Sequence, residues 1–153
     1  MISENKWPQY GQSGLIPKGI VIHNTKQYEI TADEVFDYYE NISKEFEAVH
    51  YIVDKDKVVE IMPVDWKVWS TGKGNDWAFK NCLVVTICST INSENFNLAE
   101  QRAISLIKDL ADNYEIPKNR IYFHKDFNPR EYCPAILLDK YKTREKFIEE
   151  VFK

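Results

Sequence analysis

GIVIHNT, residues 19–25, and RIYFHKD, residues 120–126, are the two stretches on which the fold reading turns. Each is a short apolar run that stops at a histidine: Ile20 to Ile22 before His23, and Ile121 to Phe123 before His124. Uninterrupted apolar runs of this length read as buried strands, covered on both faces. CLVVTIC, residues 82–88, is a third, with Thr86 as its one polar side chain between apolar neighbours.

Outward from these runs the chain alternates strands with helices. AVHYIVDKDKVVEIMP, residues 48–63, predicts two strands around Asp54–Lys57, a hairpin without glycine in its turn. His50 falls inside the first of them, where a hydrogen-bonded structural role is expected. Thr31 can cap a helix with Glu34 as its capping-box partner, and Val35, Tyr38, Tyr39 and Ile42 follow at helical spacing. LAEQRAISLIKDLADNY, residues 98–114, carries Leu98, Ile104, Ile107 and Leu110 near a 3.6 period, and residues 135–152 read as one final amphipathic helix. Residues 1–19, punctuated by Pro8, Gly11, Gly14 and Pro17, read as an irregular leader. The expected class is therefore α/β, a mixed central β-sheet flanked by about three α-helices.

At 153 residues, 44% hydrophobic, the chain is long enough for one core without disulfides and is expected to form a single domain, 1–153. The net charge of −4 gives no reason to bind nucleic acid, and no apolar run approaches the roughly 20 residues of a membrane span. The first residues lack a basic segment followed by an apolar one, so the chain is expected to be cytoplasmic as synthesised. No motif specifies an oligomeric state. Cys82 and Cys88 read as small core hydrophobes.

HKDFNPREYCP, residues 124–134, places Cys133 nine positions after His124, on a loop stiffened by Pro129 and Pro134. Ligands gather outside the carboxyl ends of strands in open α/β sheets, so His23 and His124 can meet there if their strands are neighbours. Two imidazoles and a thiolate suit zinc, with the fourth position left to water. On spacing alone a polar strand cap or a surface residue is the commoner reading of each histidine. Asp126 reads either as a partner of a ligating imidazole or as a solvated turn acid.

These segments, taken in order with LVVTIC and residues 50–75, resemble the zinc-dependent N-acetylmuramoyl-L-alanine amidases of the phage-lysozyme and peptidoglycan-recognition superfamily, from about residue 19 to 138. The resemblance implies Zn2+ held by His23, His124 and Cys133, and cleavage of the amide joining N-acetylmuramic acid to L-alanine in peptidoglycan. It also implies a phage endolysin catalytic domain that acts on the bacterial cell wall, to which a C-terminal wall-binding domain is often appended.

The sequence departs from that pattern where the family commonly carries Glu, Tyr and Lys: these positions hold Thr86, Val49 and Glu131. The usual Trp-His-Ala-Gly becomes Trp69-Ser70-Thr71-Gly72. Thr86 is a candidate to orient the attacking water, Arg130 to hold an oxyanion and Glu131 to shuttle a proton. Trp66, Trp69, Ser70 and Asn24 are candidate substrate contacts, with Trp77 as a further aromatic and Lys67, Lys73 and Lys80 as partners for stem carboxylates. Two other readings stand beside the amidase: a non-catalytic peptidoglycan-binding module, and a zinc peptidase acting within the stem peptide.

Overall fold

The computed structural model describes residues 1–42, 44–71 and 76–153. Among the described residues seven strands form two sheets: β1 (Gly11–Ser13), β2 (Gly19–Tyr28), β3 (Tyr51–Val53), β4 (Val58–Glu60), β5 (Trp66–Val68), β6 (Cys82–Ser89) and β7 (Ile121–Phe123). The main sheet has the order β4-β3-β6-β2-β7, parallel throughout except for the antiparallel β3–β4 hairpin, so it is mixed as expected.

Seven α-helical segments accompany the strands among the described residues: α1 (Trp7–Tyr10), α2 (Ala32–Asp37), α3 (Asp76–Asn81), α4 (Ser93–Asn113), α5 (His124–Phe127), α6 (Ala135–Tyr141) and α7 (Arg144–Val151). The expectation of about three helices is too low, for two physical reasons. Helices of four to six residues, such as α1, α3 and α5, are too short to show a 3.6-residue period. The expected C-terminal helix is also two, because Lys142 takes a positive φ of 68° and Thr143 caps a new start by accepting the Lys146 N–H.

The leader is ordered rather than irregular. Pro8 opens α1, and β1 pairs antiparallel with β5, placing Gly11 opposite Val68. A Cβ on Gly11 would lie 1.9 Å from the Lys67 carbonyl oxygen, so glycine is what lets these strands touch. Leu98 departs from its expected place too: it is 54% exposed, while Phe96, Ala99, Ala103, Ile104, Ile107 and Leu110 form the buried stripe of α4.

Strand alternation sorts the side chains onto two faces. Ile20 and Ile22 of β2, Leu83, Val85 and Ile87 of β6, and Ile121 and Phe123 of β7 pack with α4, α6 and α7 in the larger core. On the other face Val84 and Cys88 join α2, β3 and the leader, and Val21 and Cys82 meet Ala78, Tyr122 and Phe127. His23 and Thr86, odd and even members of adjacent strands in direct register, fall on this second face. His50 pins it from within: its Nδ1 accepts the Val84 N–H (2.9 Å) and its Nε2 donates to the Trp66 carbonyl (2.7 Å), a structural role. The glycine-free hairpin turn holds because the Asp54 carboxylate accepts the N–H groups of Asp56 (2.8 Å) and Lys57 (2.9 Å), and that of Ala32 at the start of α2 (2.8 Å).

Candidate metal centre

Three neighbouring strands deliver the site. His23 lies in β2, Thr86 faces it from β6, and His124 is the first residue after β7 on the other side of β2. The loop beyond α5 then folds back, with the Lys125 N–H on the Cys133 carbonyl (3.0 Å), which returns Cys133 to the strand ends. Asn24 secures that return from β2. Its amide donates to the Ile87 carbonyl (3.3 Å) and accepts the Ile136 N–H (3.0 Å) in the first turn of α6.

The ligand atoms of His23, His124 and Cys133 lie within 4.8 Å of one another, a group that could hold a metal ion. The imidazole centroids are 4.5 Å apart, and Cys133 Sγ is 3.7 Å from His23 Nδ1. Around a tetrahedral zinc, bond lengths of about 2.3 Å to sulfur and 2.0 Å to nitrogen require a separation of about 3.5 Å, close to that observed. His124 hydrogen-bonds the Thr71 backbone, which orients its ring. Nε2 of His23, Nε2 of His124 and Oγ1 of Thr86 are buried without hydrogen-bond partners. Each such orphan costs about 1–3 kcal/mol, and three side by side describe a site built to receive something polar. The residues therefore fit a metal ion.

Electrostatics favours the same reading. Burial, followed by the adjacent His124 and by Lys26, drives His23 down to about 3, and burial also lowers His124. Both rings are neutral near pH 7 and offer lone pairs. Burial raises the Cys133 thiol to about 11, so it gives up its proton only to a strong cation.

The group opens into a cleft of about 590 Å³. Its described lining includes Asn24, Lys26, Tyr38, Tyr39, Glu45, Glu47, Val49, Ser70, Thr86 and Glu131 with the three ligand candidates, but not Arg130, Trp66 or Trp69. Glu131 is half-buried at 3.9 Å from Lys26, whereas Arg130 is exposed. Trp66 packs edge-on against Trp7 at 5.6 Å, and Trp69 stacks on Phe79 at 3.8 Å, so both help to build the wall behind the cleft. Trp77, 38% exposed, sits with Tyr122 and Phe127. Asp126 accepts the Phe123 N–H (2.8 Å) and lies 3.8 Å from Arg144, which makes it a local cap. Lys73 and Gly72 lie outside the described residues.

Sequence reasoning missed Lys26, Tyr38, Tyr39, Glu45 and Glu47. They line the cleft from segments separated by up to twenty residues, and no local spacing announces them. A smaller hollow of about 160 Å³ near Glu29 and Asp54 has its acids already engaged: Glu29 accepts the Ile91 N–H and Asp54 holds the hairpin turn.

The chain matches the family model described as N-acetylmuramoyl-L-alanine amidase (Amidase_2) over residues 13–136. Among curated proteins it is 28% identical over 144 residues to the N-acetylmuramoyl-L-alanine amidase CwlH of Bacillus subtilis (strain 168), covering 93% of this chain and 56% of that protein. It is likewise 28% identical to XlyB, an N-acetylmuramoyl-L-alanine amidase of the same organism, over 92% of this chain and 44% of the relative. The chain thus spans about half the length of the curated relatives it matches. Among solved structures, PlyL superposes with a TM-score of 0.88 at 24% identity, covering 98% of this chain and 92% of that one. The catalytic domain of XlyA superposes at 0.82 and 24% identity, covering 94% and 92%. These two likenesses establish the fold.

Proposed function

We propose that this chain, which belongs to the N-acetylmuramoyl-L-alanine amidase family, hydrolyses the amide between N-acetylmuramic acid and L-alanine in bacterial peptidoglycan, as a phage endolysin catalytic domain. The observation that carries the reading is the convergence of His23, His124 and Cys133 along one cleft, with their ligand atoms within 4.8 Å of one another.

His23, His124 and Cys133 are proposed to hold Zn2+, which when bound supplies an acidified water and polarises the scissile carbonyl. Thr86 Oγ1, buried beside His23, can accept or donate one hydrogen bond to that water and fix its direction of attack. Glu131 is proposed to exchange protons with solvent at the cleft, and Arg130, exposed on the same loop, to meet oxyanion or carboxylate charge that the substrate brings to the rim. Ser70 offers a hydroxyl to the sugar or peptide. Asn24, with both ends of its amide committed, acts on substrate only by holding the Cys133 loop. Trp66 and Trp69 contribute by stiffening the wall on which the substrate rests.

The reading is tested by mass spectrometry of the soluble products released from purified bacterial walls, with and without a zinc chelator. Free stem peptides beginning with L-alanine, lost on chelation and lost in His124→Ala, are the expected result. Peptides cut inside the stem would make the protein a zinc peptidase, and intact walls with bound protein would make it a binding module.

A further inference from the structure

Breaking an amide requires more than an attacking water: the departing amine must gain a proton, and Thr86 and Val49 cannot hold one in exchange. Among the described residues three acids line the cleft, Glu45, Glu47 and Glu131. Glu45 is exposed, and Glu131 is engaged with Lys26 at 3.9 Å. Glu47 is half-buried and belongs to a segment tied down on both sides. Its backbone bridges Trp69, the Ala48 N–H donates to the Trp69 carbonyl (3.0 Å), and the His50 N–H to that of Val84 (3.1 Å). Glu47, Ala48 and Val49 all line the cleft.

Resting on the amidase reading above, we propose that Glu47 carries the proton between the attacking water and the leaving amine. Glu47 accepts a proton from the water as its oxygen bonds to the lactoyl carbonyl carbon. It then gives that proton to the L-alanine nitrogen as the carbon–nitrogen bond breaks, so the carboxylate is regenerated and one water is consumed per amide. Its surroundings suit the task. Burial first, then the negative charges of Glu45 and Glu131, raise its carboxyl above the ordinary range, against the opposing charge of Lys26. A carboxyl held higher keeps a proton long enough to deliver it.

The experiment compares Glu47→Gln with the wild-type chain, and with Glu45→Gln as a control on the same wall, on two substrates. One is a muramoyl peptide with L-alanine as leaving group. The other is an N-acetylmuramoyl p-nitroanilide, whose weakly basic amine departs with little need of a proton. Fragment binding is measured separately on chelator-treated protein by calorimetry. Glu47→Gln is expected to lose about 10²- to 10⁴-fold in kcat on the peptide and a smaller part of that on the anilide, which still calls on Glu47 for the attack, with fragment affinity unchanged. Wild-type kcat on the peptide, or a loss on the anilide that exceeds the loss on the peptide, would overturn the role of Glu47 while leaving the amidase reading intact. A wild-type chain that releases no peptides beginning with L-alanine would overturn both.

Discussion

Acidification provides a test of how His50 is held. The ring is fully buried and hydrogen-bonded at both nitrogens, and burial lowers it from 6.5 to about 4, against a smaller opposing effect of the Trp66 hydrogen bond. In the unfolded chain it titrates near 6.5. The unfolded state therefore takes up a proton first as pH falls, so the stability that His50 contributes is whole above about pH 6.5 and is lost down through about pH 4. At about pH 4.5 the loss amounts to about 2.5 kcal/mol, a sizeable share of a typical domain's stability. The physical cause is specific: a proton on Nδ1 removes the acceptor of the Val84 N–H and sets two donors against each other. Urea unfolding of wild type and His50→Gln at about pH 7 and pH 4.5, both in chelator, measures it. The variant starts about 1–3 kcal/mol less stable, because Val84 loses its acceptor, but falls less steeply with acid. His23 and His124 contribute equally to both proteins and cancel. An acid slope in His50→Gln as steep as in wild type would refute the argument.

Zinc at a hundredfold excess over its Kd should add about 2.7 kcal/mol to folding and raise Tm by about 5–10 °C, an effect absent from Cys133→Ser by scanning calorimetry. Gly11→Ala forces a methyl against the Lys67 carbonyl and is expected to cost about 1–3 kcal/mol, read as a lowered urea midpoint with zinc stoichiometry unchanged. Thr31→Ala removes the capping box at α2 and should cost about 1 kcal/mol by the same assay. Asn24→Leu, which strips two buried hydrogen bonds from the Cys133 loop, should weaken zinc binding as well as stability; calorimetric zinc affinity equal to wild type would contradict the bracing role given to it.

The sheet was legible wherever burial is two-sided. GIVIH, CLVVTIC and RIYFH stand out because a parallel strand in the middle of a sheet has no solvent face to spend polar residues on. The Thr31–Glu34 capping box is readable for a similar reason, since it is a local device with its chemistry inside four residues. What escaped notice depends on contacts at long range. β1 is strand only because Lys67 lies against Gly11, and Lys142 breaks the last helix with a residue of ordinary helix propensity. The ligand candidates carried a sequence signal because each stands next to an apolar run or a proline. Glu47 stands beside such a run too, AVHYIV, but an acid at the start of a strand is commonplace and carried no signal of its own.

His23 and Cys133 stand 110 positions apart in the chain, against 3.7 Å in space. In polymer terms an ion held by both is a clasp that turns most of the chain into a ring, and closing a ring of that size costs a free chain about 4 kcal/mol of entropy. The folded sheet has already met that cost, because β2, β6 and β7 align the strand ends before any ion arrives. The clasp is therefore fastened onto a sheet that stands without it: what loosens the Asn24 brace also opens the ring, and removing the ion is expected to free the segment beyond Cys133 first. A protease offered the chain with and without chelator would read that order directly, as cuts that begin beyond residue 133.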